Sequence, residues 1–152
     1  MPARRRVYLI DTNVISELRK KQAADSGVPA FFRRVRAEDC ALYLSAVTVG
    51  ELRRGVELIR HRGDIAQANR LEQWLEAILS EFGDNILSLD ADVAQVWGRL
   101  RVPHPENALD KQIAATALIY DLTLVTRNIK DFQYAGLKLL NPFNGDPPST
   151  AP

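Results

Sequence analysis

The stretch from Val7 to Lys20 constrains the fold of this chain more than any other. Its first four residues are apolar or β-favouring and lead directly to Asp11, and Val14, Ile15 and Leu18 then recur at helical spacing. This pattern predicts a buried strand, a sharp turn and a helix. Asp11 would then stand at the carboxyl end of a strand, which is the sheet edge where ligands bind in α/β proteins.

A helix cap is the alternative role for Asp11. Asp, Thr and Asn side chains all accept N–H bonds at the start of a helix, and Asp11, Thr12 and Asn13 all stand there. Capping is common and catalysis is rare, so Asp11 alone does not indicate an active site. A catalytic role requires other carboxylates at the same sheet edge.

The length and composition describe one domain of ordinary size. A chain of 152 residues buries about two-thirds of its unfolded surface on folding. We predict a single domain over residues 1–143 and a flexible tail over residues 144–152, where apolar residues are scarce. Arginines cluster in the first half of the chain, but a formal net charge of +1 gives no general support for nucleic-acid binding.

The single cysteine, Cys40, excludes an internal disulfide and a cysteine-rich zinc site. A reducing compartment fits this composition best. The arginines near the N-terminus precede an apolar run that Asp11 interrupts, so this segment predicts neither a signal peptide nor a membrane span. We therefore expect a cytoplasmic protein with no membrane partner.

Strands and helices alternate along the rest of the chain. Apolar periodicity predicts helices around residues 29–36, 49–59, 65–82, 93–100 and 110–118. Short β-favouring runs predict strands at residues 41–45, 86–89, 122–126 and 137–140. This alternation indicates an α/β fold, with a parallel sheet and helices on both faces.

Polar side chains that can act together have access to one edge of this sheet. Asp11 ends the first strand, and Glu51 lies in the first turns of a helix after another strand. Asp110 opens a later helix, and Asn128 and Asp131 follow a further strand. Carboxylates brought together repel one another, and a bound divalent metal or a raised pKa relieves that repulsion. Oxygen ligands without His or Cys favour Mg²⁺ or Mn²⁺ over zinc.

Several of these residues could instead have purely structural roles. Thr48 and Glu51 have the spacing of a capping box, which would make Glu51 structural. His104 lies in a polar context with no partner, which does not favour a catalytic base. Trp74 and Trp97 follow the helical apolar period, so we interpret them as core or interface residues rather than base-stacking platforms.

Five segments carry a family resemblance. They are Leu-Ile-Asp-Thr-Asn-Val-Ile-Ser-Glu at 9–17, Thr-Val-Gly-Glu-Leu-Arg-Arg-Gly-Val at 48–56, Asp-Lys-Gln-Ile-Ala-Ala-Thr-Ala at 110–117, Leu-Thr-Leu-Val-Thr-Arg-Asn at 122–128 and Leu-Leu-Asn-Pro-Phe at 139–143. In order and spacing they resemble the PIN-domain family, and within it the VapC-type toxins of bacterial toxin–antitoxin pairs, close to the FitB-like branch. The resemblance covers residues 7–143.

The resemblance implies a three-layer α/β/α PIN-like fold with a central parallel sheet, and a Mg²⁺-dependent endoribonuclease in which Mn²⁺ can substitute. Carried over by position, Asp11, Glu51 and Asp110 are the acids of the metal pocket, with Asp11 and Asp110 as direct ligands. Family members often place a fourth acid where this chain has Asn128, and the nearest carboxylate is Asp131. Whether Asn128 or Asp131 completes the site, and whether one metal or two bind, stays open.

Four further residues receive supporting roles from the resemblance. Thr126 would support the pocket as a polar neighbour, and Asn13 would hold the Asp11 loop by side-chain hydrogen bonds. Arg53 and Arg127 could bind phosphates at the rim, although surface arginines more often serve solubility. The implied partners are an RNA substrate, either tRNA or rRNA, a cognate antitoxin whose segment enters the acidic groove, and a second copy in a homodimer.

Two alternatives to a PIN-type nuclease deserve comparison. A phosphatase of the haloacid-dehalogenase type also begins with a strand ending in Asp, but it needs a second carboxylate two positions later, where this chain has Asn13. A catalytically inactive PIN-fold module that binds RNA or a partner protein is the second alternative, and Asn128 is its main support. Metal binding discriminates between the nuclease and the inactive module.

Overall fold

A computed structural model describes residues 6–145 of the chain. Within this range five strands form one parallel sheet in the order β3-β2-β1-β4-β5. The strands are β1 (Val7–Ile10), β2 (Ala41–Ser45), β3 (Ile86–Leu87), β4 (Thr123–Val125) and β5 (Lys138–Leu140). β1 is therefore the central strand, and the chain moves outward from it to β3 before it crosses to β4 on the other side.

Within residues 6–145, six α-helices connect and cover the strands. They are α1 (Thr12–Leu18), α2 (Gly27–Ala37), α3 (Ala46–His61), α4 (Ile65–Phe82), α5 (Ala91–Leu100) and α6 (Ala108–Ile119). Short 3-10 turns occur at Lys21–Ala23, Gly83–Asn85 and Ile129–Phe132. Among the described residues, no helix is long and apolar enough to cross a membrane.

Alternation along β1 divides the core into two layers. Tyr8 and Ile10 pack with the apolar faces of α1 to α4, whereas Leu9 packs with α6 on the opposite face of the sheet. Successive side chains of a strand point to opposite faces, so a strand buried on both sides must be apolar throughout. This arrangement is the α/β/α fold with a central parallel sheet that the sequence predicts.

The structure confirms the predicted strands and helices and shifts some of their ends. β3 contains two residues, and α3 begins at Ala46, earlier than the capping-box spacing indicates. Ser45 is the N-cap of α3, and its Oγ accepts a hydrogen bond from the N–H of Val47 at 3.1 Å. The predicted capping box is therefore wrong, because Thr48 and Glu51 lie inside the helix, and Glu51 is free for another role.

The chain after β5 packs back against the start of α2. Phe143 is buried, and the N–H groups of Asn144 and Gly145 donate to the carboxylate of Asp25 at 2.9 and 3.1 Å. A Cβ at Gly27 would lie 2.1 Å from the carbonyl oxygen of Pro142, so only glycine fits there. Apart from residues 144–145, the tail predicted for 144–152 lies outside the described residues.

Candidate active site

The carboxyl ends of β1 and β4 form the crevice where the strand order reverses. The backbone N–H of Asp11 donates to the carbonyl of Val125 at 2.9 Å, and the backbone N–H of Thr126 donates to the carbonyl of Leu140 at 2.9 Å. Both strands therefore stay paired up to the residues that leave the sheet. Ligands bind at such a switch point because the loops on its two sides diverge and leave a crevice.

The Asp11 carboxylate lies in this crevice and is only 4% exposed. Its Oδ1 accepts a hydrogen bond from the N–H of Thr12 at 2.8 Å, and its Oδ2 accepts one from the hydroxyl of Thr126 at 2.8 Å. Asp11 is also the N-cap of α1. The capping role and a role in the site are thus compatible, because capping occupies one oxygen of the carboxylate.

Asn13 ties the Asp11 loop to the loop after β4, as the sequence predicts. Its amide nitrogen donates to Asp11 Oδ2 at 3.3 Å, and its amide oxygen accepts from the N–H of Arg127 at 3.2 Å. The Thr126 hydroxyl accepts from the N–H of Asn128 at 3.0 Å while it donates to Asp11. These bonds fix the position of the carboxylate relative to both strands.

Glu51 enters the site from α3, whose N-terminal end follows β2 beside β1. Its side chain is half-buried and lines a small groove together with Thr12. The hydroxyl of Thr12 donates to that of the fully buried Thr48 at 3.1 Å, which joins the starts of α1 and α3. Thr48 therefore positions the helix that carries Glu51 rather than capping it.

Asp110 enters from the other layer, in the first turn of α6. Asn107, the N-cap residue of this helix, adopts a left-handed conformation with φ of 57°. The next residue, Lys111, is buried, and its Nζ donates to the carbonyl of His104. These features fix the loop before α6 and bring Asp110 to the edge that carries Asp11.

The carboxylates act on one another electrostatically. Burial raises the pKa of Asp11 above its usual range, and the negative charges of Asp110 and Glu51 raise it further, against the hydrogen bonds from Thr126 and Thr12. Burial also raises the pKa of Asp110, and the charges of Asp131 and Glu51 add to that effect. Electrostatic interaction thus links Asp11 with Asp110 and Glu51, and Asp110 with Asp131 and Glu51. We call these four carboxylates, which come from four parts of the chain, the acidic site.

Asp131 and Asn128 occupy different positions relative to this site. Both are exposed and belong to the turn after β4, but only Asp131 carries a charge, and that charge acts on Asp110. Asn128 contributes its backbone N–H to Thr126. This arrangement favours Asp131 over Asn128 as the fourth acid of the site.

Tyr134 is a residue of the site that the sequence interpretation missed. Its ring is half-buried, and this burial raises the pKa of its phenol. The charges of Asp110, Asp131 and Glu106 add to that effect. The available signal was position, because Tyr134 stands three residues after Asp131 in the same turn. Its phenol adds a neutral hydrogen-bond donor to an edge that is otherwise acidic.

The donor set suits a hard divalent cation in its chemistry. The groups whose charges raise the pKa of Asp11 and Asp110 are all carboxylates, and their mutual repulsion is of the kind that a cation relieves. Within residues 6–145, no three His, Cys, Asp or Glu side chains are close enough together to form a metal-binding group by themselves. The arrangement therefore fits an ion held by one or two carboxylates and completed by water, which is the usual coordination of Mg²⁺.

The two arginines predicted to bind phosphate at the rim make contacts within the protein. Arg53 donates to Glu72 at 2.6 Å and lies 3.5 Å from Glu57. The guanidinium of Arg127 lies 4.6 Å from the centre of the Phe143 ring. Both contacts favour structural roles for these side chains.

Comparison with known proteins gives consistent results. A model of the PIN domain matches residues 8–136. The toxin FitB of Neisseria gonorrhoeae is 38% identical over 144 residues, which span 91% of this chain and 99% of FitB. The VapC ribonuclease Y4jK of Sinorhizobium fredii is 35% identical over 144 residues, or 90% of this chain and 98% of that protein.

Among solved structures, that of FitAcB from Neisseria gonorrhoeae superposes with a TM-score of 0.76 at 37% identity. The match covers 90% of this chain and 97% of the matched chain. Similarity in sequence and in fold therefore extends over almost the whole length of each protein. The match to the PIN-domain model includes all four segments that supply the acidic site.

Proposed function

Because this chain belongs to the PIN-domain family, among toxins of the FitB and VapC type, we propose that it is a metal-dependent endoribonuclease. In this proposal it is the toxin of a toxin–antitoxin pair and hydrolyses phosphodiester bonds of RNA. The observation that carries the proposal is the convergence of Asp11, Glu51, Asp110 and Asp131 at one edge of the sheet.

In this proposal Asp11 and Asp110 hold a Mg²⁺ ion, which Mn²⁺ can replace. Mg²⁺ commonly keeps several water ligands and needs only one or two protein carboxylates. When bound, it would supply a water of lowered pKa and would neutralise charge on the phosphate oxygens. The negative charge that raises the pKa of both carboxylates would be compensated by the same ion.

The protein's own residues would then position the reacting groups. The bonds from Thr126 and Thr12 favour the ionised form of the Asp11 carboxylate and fix its direction. Glu51 would orient the attacking water and accept its proton, and Asp131 would hold the water shell beside Asp110. Water adds to the phosphorus atom, one phosphorus–oxygen bond breaks, and the leaving oxygen takes up a proton from solvent.

The proposed partners follow from the relatives. The name of the VapC ribonuclease Y4jK supports an RNA substrate, and we expect tRNA or rRNA. The similarity to the toxin FitB and to the FitAcB structure supports an antitoxin partner that covers the acidic site. A homodimer and a cytoplasmic location remain predictions from the sequence.

Cleavage assays on a panel of tRNA and rRNA fragments test the proposal. Purified protein free of antitoxin is incubated with Mg²⁺, with Mn²⁺ or with EDTA, beside Asp11→Asn, Asp110→Asn and the control Asp84→Asn. We expect cleavage that requires metal, persists in the control and is lost in both site variants. Cleavage that survives EDTA or both site variants would refute the proposed mechanism.

The alternative function is an inactive PIN-fold module that binds RNA or a partner protein. The non-acidic Asn128 is the observation that favours it. Calorimetric titration with Mg²⁺ separates it from an active enzyme whose substrate is missing from the panel. A folded protein that binds no Mg²⁺ and cleaves no RNA would favour the inactive module.

A further inference from the structure

A groove beside the acidic site has no role in the mechanism proposed above. It lies between the end of α1 and one face of α4, and we call it the α1–α4 groove. Three cations, two amides and one indole ring line it, above the apolar side chain of Leu71: Arg19, Lys21, Arg70, Gln67, Gln73 and Trp74. Its lining thus combines positive charge with an aromatic surface.

The α1–α4 groove continues into the acidic site. A smaller groove shares Arg19, Leu71 and Trp74 with it and extends to Thr12 and Glu51. Thr12 follows Asp11 in the chain and donates its N–H to that carboxylate. A linear ligand in the α1–α4 groove would therefore lead directly to the acidic site.

Among the described residues, no carboxylate lines the α1–α4 groove, and one acid on each of its two helices pairs with a cation outside it. Glu72, on α4, accepts from Arg53 at 2.6 Å and from Arg60 at 3.3 Å. Glu17, on α1, pairs with Lys20 at 2.8 Å. Within the part of the chain that the structure describes, the groove cations make no ion pair, so their charge is available to an anion.

Trp74 has two environments. The ring packs against the apolar core, as its helical spacing predicts, and it also lines the groove. Trp97 differs, because its indole N–H donates to the carbonyl of Ala108 at 2.9 Å and Arg101 covers its ring at 4.7 Å. Trp74 makes no such contacts with described residues and leaves part of its ring accessible.

We propose that the α1–α4 groove binds the RNA strand on one side of the scissile phosphate. Backbone phosphates contact Arg19, Arg70 and Lys21, and one base stacks on Trp74. Basic side chains beside an aromatic ring are what strand binding requires, because phosphates need compensating charge and a base presents a flat face. The inference rests on the proposed function, since it assigns a substrate subsite to it.

Binding to a non-cleaving protein tests the groove separately from catalysis. The parent is Asp11→Asn, and the probe is a fluorescein-labelled 12-nucleotide oligouridylate, followed by anisotropy at several salt concentrations. The groove variants are the double substitution Arg19→Gln/Arg70→Gln, and Trp74→Leu beside Trp74→Phe. The matched control is Arg99→Gln, an exposed arginine on α5 in the opposite helical layer.

We expect the double substitution to raise the Kd at least about tenfold and to reduce the salt slope by about 1.4, since each contact with a single strand contributes about 0.7. Trp74→Leu should weaken binding about fivefold, and Trp74→Phe should retain most of the affinity. Arg99→Gln should leave the Kd nearly unchanged. Circular dichroism and melting curves establish that each variant is folded.

Three results would overturn the inference. One is a parent protein that does not bind the probe, and another is a double variant whose Kd and salt slope match those of Arg99→Gln. The third is a poly-glutamate 12-mer that binds with the same affinity as the oligouridylate, together with an unchanged Kd for the oligouridylate in Trp74→Leu. That result would make the groove a general anionic-peptide surface. Failure of the proposed function is separate, because it appears as loss of metal-dependent cleavage while groove binding persists.

Discussion

The hydroxyl of Thr126, which is fully buried, donates to Oδ2 of Asp11 at 2.8 Å across 115 positions of sequence. This bond joins the carboxyl ends of β1 and β4, the two neighbours at the switch point of the sheet. It favours the ionised carboxylate where burial and neighbouring charge favour the protonated one. The same contact therefore serves the fold and the charge state of the carboxylate that we propose as a metal ligand.

Removal of the Thr126 hydroxyl should impair catalysis more than stability. In Thr126→Val the shape is kept and the donor to Asp11 is lost, so the pKa of Asp11 should rise. We expect cleavage activity or Mg²⁺ affinity to fall about 10- to 100-fold, as is common for groups that orient a metal ligand. The acid limb of the pH–rate profile should move to higher pH, because a larger fraction of Asp11 is protonated.

The matched variant for this test is Thr126→Ser, which keeps the hydroxyl and loses only a methyl group. Its pH–rate profile should stay close to that of the native protein. Equal activity of Thr126→Val and Thr126→Ser would show that the bond to Asp11 does not contribute to the reaction.

Asp110→Asn should stabilise the metal-free protein at neutral pH. The folded-state pKa of Asp110 is raised above its ordinary value of 3.8, so the folded protein binds more protons than the unfolded chain as the pH rises above that value. Native stability contributed by the protonated form is therefore lost as the pH rises through the folded-state pKa. Asn carries no charge and avoids this loss.

Thermal melts in EDTA at pH 4 and pH 7 measure this effect. The Tm advantage of Asp110→Asn over the native protein should be larger at pH 7 than at pH 4. The exposed Asp84→Asn should show no such difference between the two pH values. A lower Tm for Asp110→Asn at pH 7 would show that the carboxylate has a stabilising partner instead.

The sequence predicts those parts of the site that local pattern determines. The local pattern places Asp11 at the carboxyl end of a strand, because an apolar run, an acid and a helical repeat follow one another within 14 residues. The family resemblance, not this pattern, assigns Asp11 to the metal pocket. The resemblance also predicts that Asn13 holds the Asp11 loop, which agrees with the tendency of Asn side chains beside a turn to bond nearby backbone. Both lie at the carboxyl end of β1, Asp11 directly after the strand and Asn13 in the first turn of α1.

Other features depend on contacts between distant segments and were missed or misassigned. Ser45, not Thr48, caps α3, and the hydroxyl of Thr48 inside the helix accepts a hydrogen bond from that of Thr12 instead. Tyr134 joins the acidic site through the fold of a turn that has no regular period. The spacing of residues along the chain contains no information about the contact between Thr12 and Thr48.

Asp131 should contribute more to catalysis than Asn128. The charge of Asp131 acts on Asp110, whereas Asn128 supports Thr126 through its backbone N–H, which any residue supplies. We expect Asp131→Asn to lower metal-dependent cleavage about tenfold or more, and Asn128→Ala to change it little. Initial rates at several Mg²⁺ concentrations measure both effects.

A change in the Mg²⁺ dependence locates the effect of Asp131. Half-maximal activity should require more Mg²⁺ in Asp131→Asn than in the native protein, because the site has lost one negative charge. If Asn128→Ala shows the larger loss, the amide oxygen of Asn128 is the group that completes the site.

Gly27→Ala should destabilise the fold, because the new Cβ would lie 2.1 Å from the carbonyl oxygen of Pro142 and 2.8 Å from the backbone nitrogen of Asn144. The backbone at residues 142–144 would have to move away from α2. That movement would break the bonds from Asn144 and Gly145 to Asp25. We expect a loss of about 3 kcal/mol in the free energy of unfolding, at the upper end for overpacking.

Gly98→Ala is the control for Gly27→Ala, because Gly98 lies inside α5 and a Cβ there has no neighbour within 4 Å. Alanine favours the helix over glycine, so Gly98→Ala should stabilise the protein by about 0.5 to 1 kcal/mol. Urea denaturation followed by circular dichroism gives both values. Equal stability of Gly27→Ala and the native protein would show that residues 142–145 do not pack against α2 in solution.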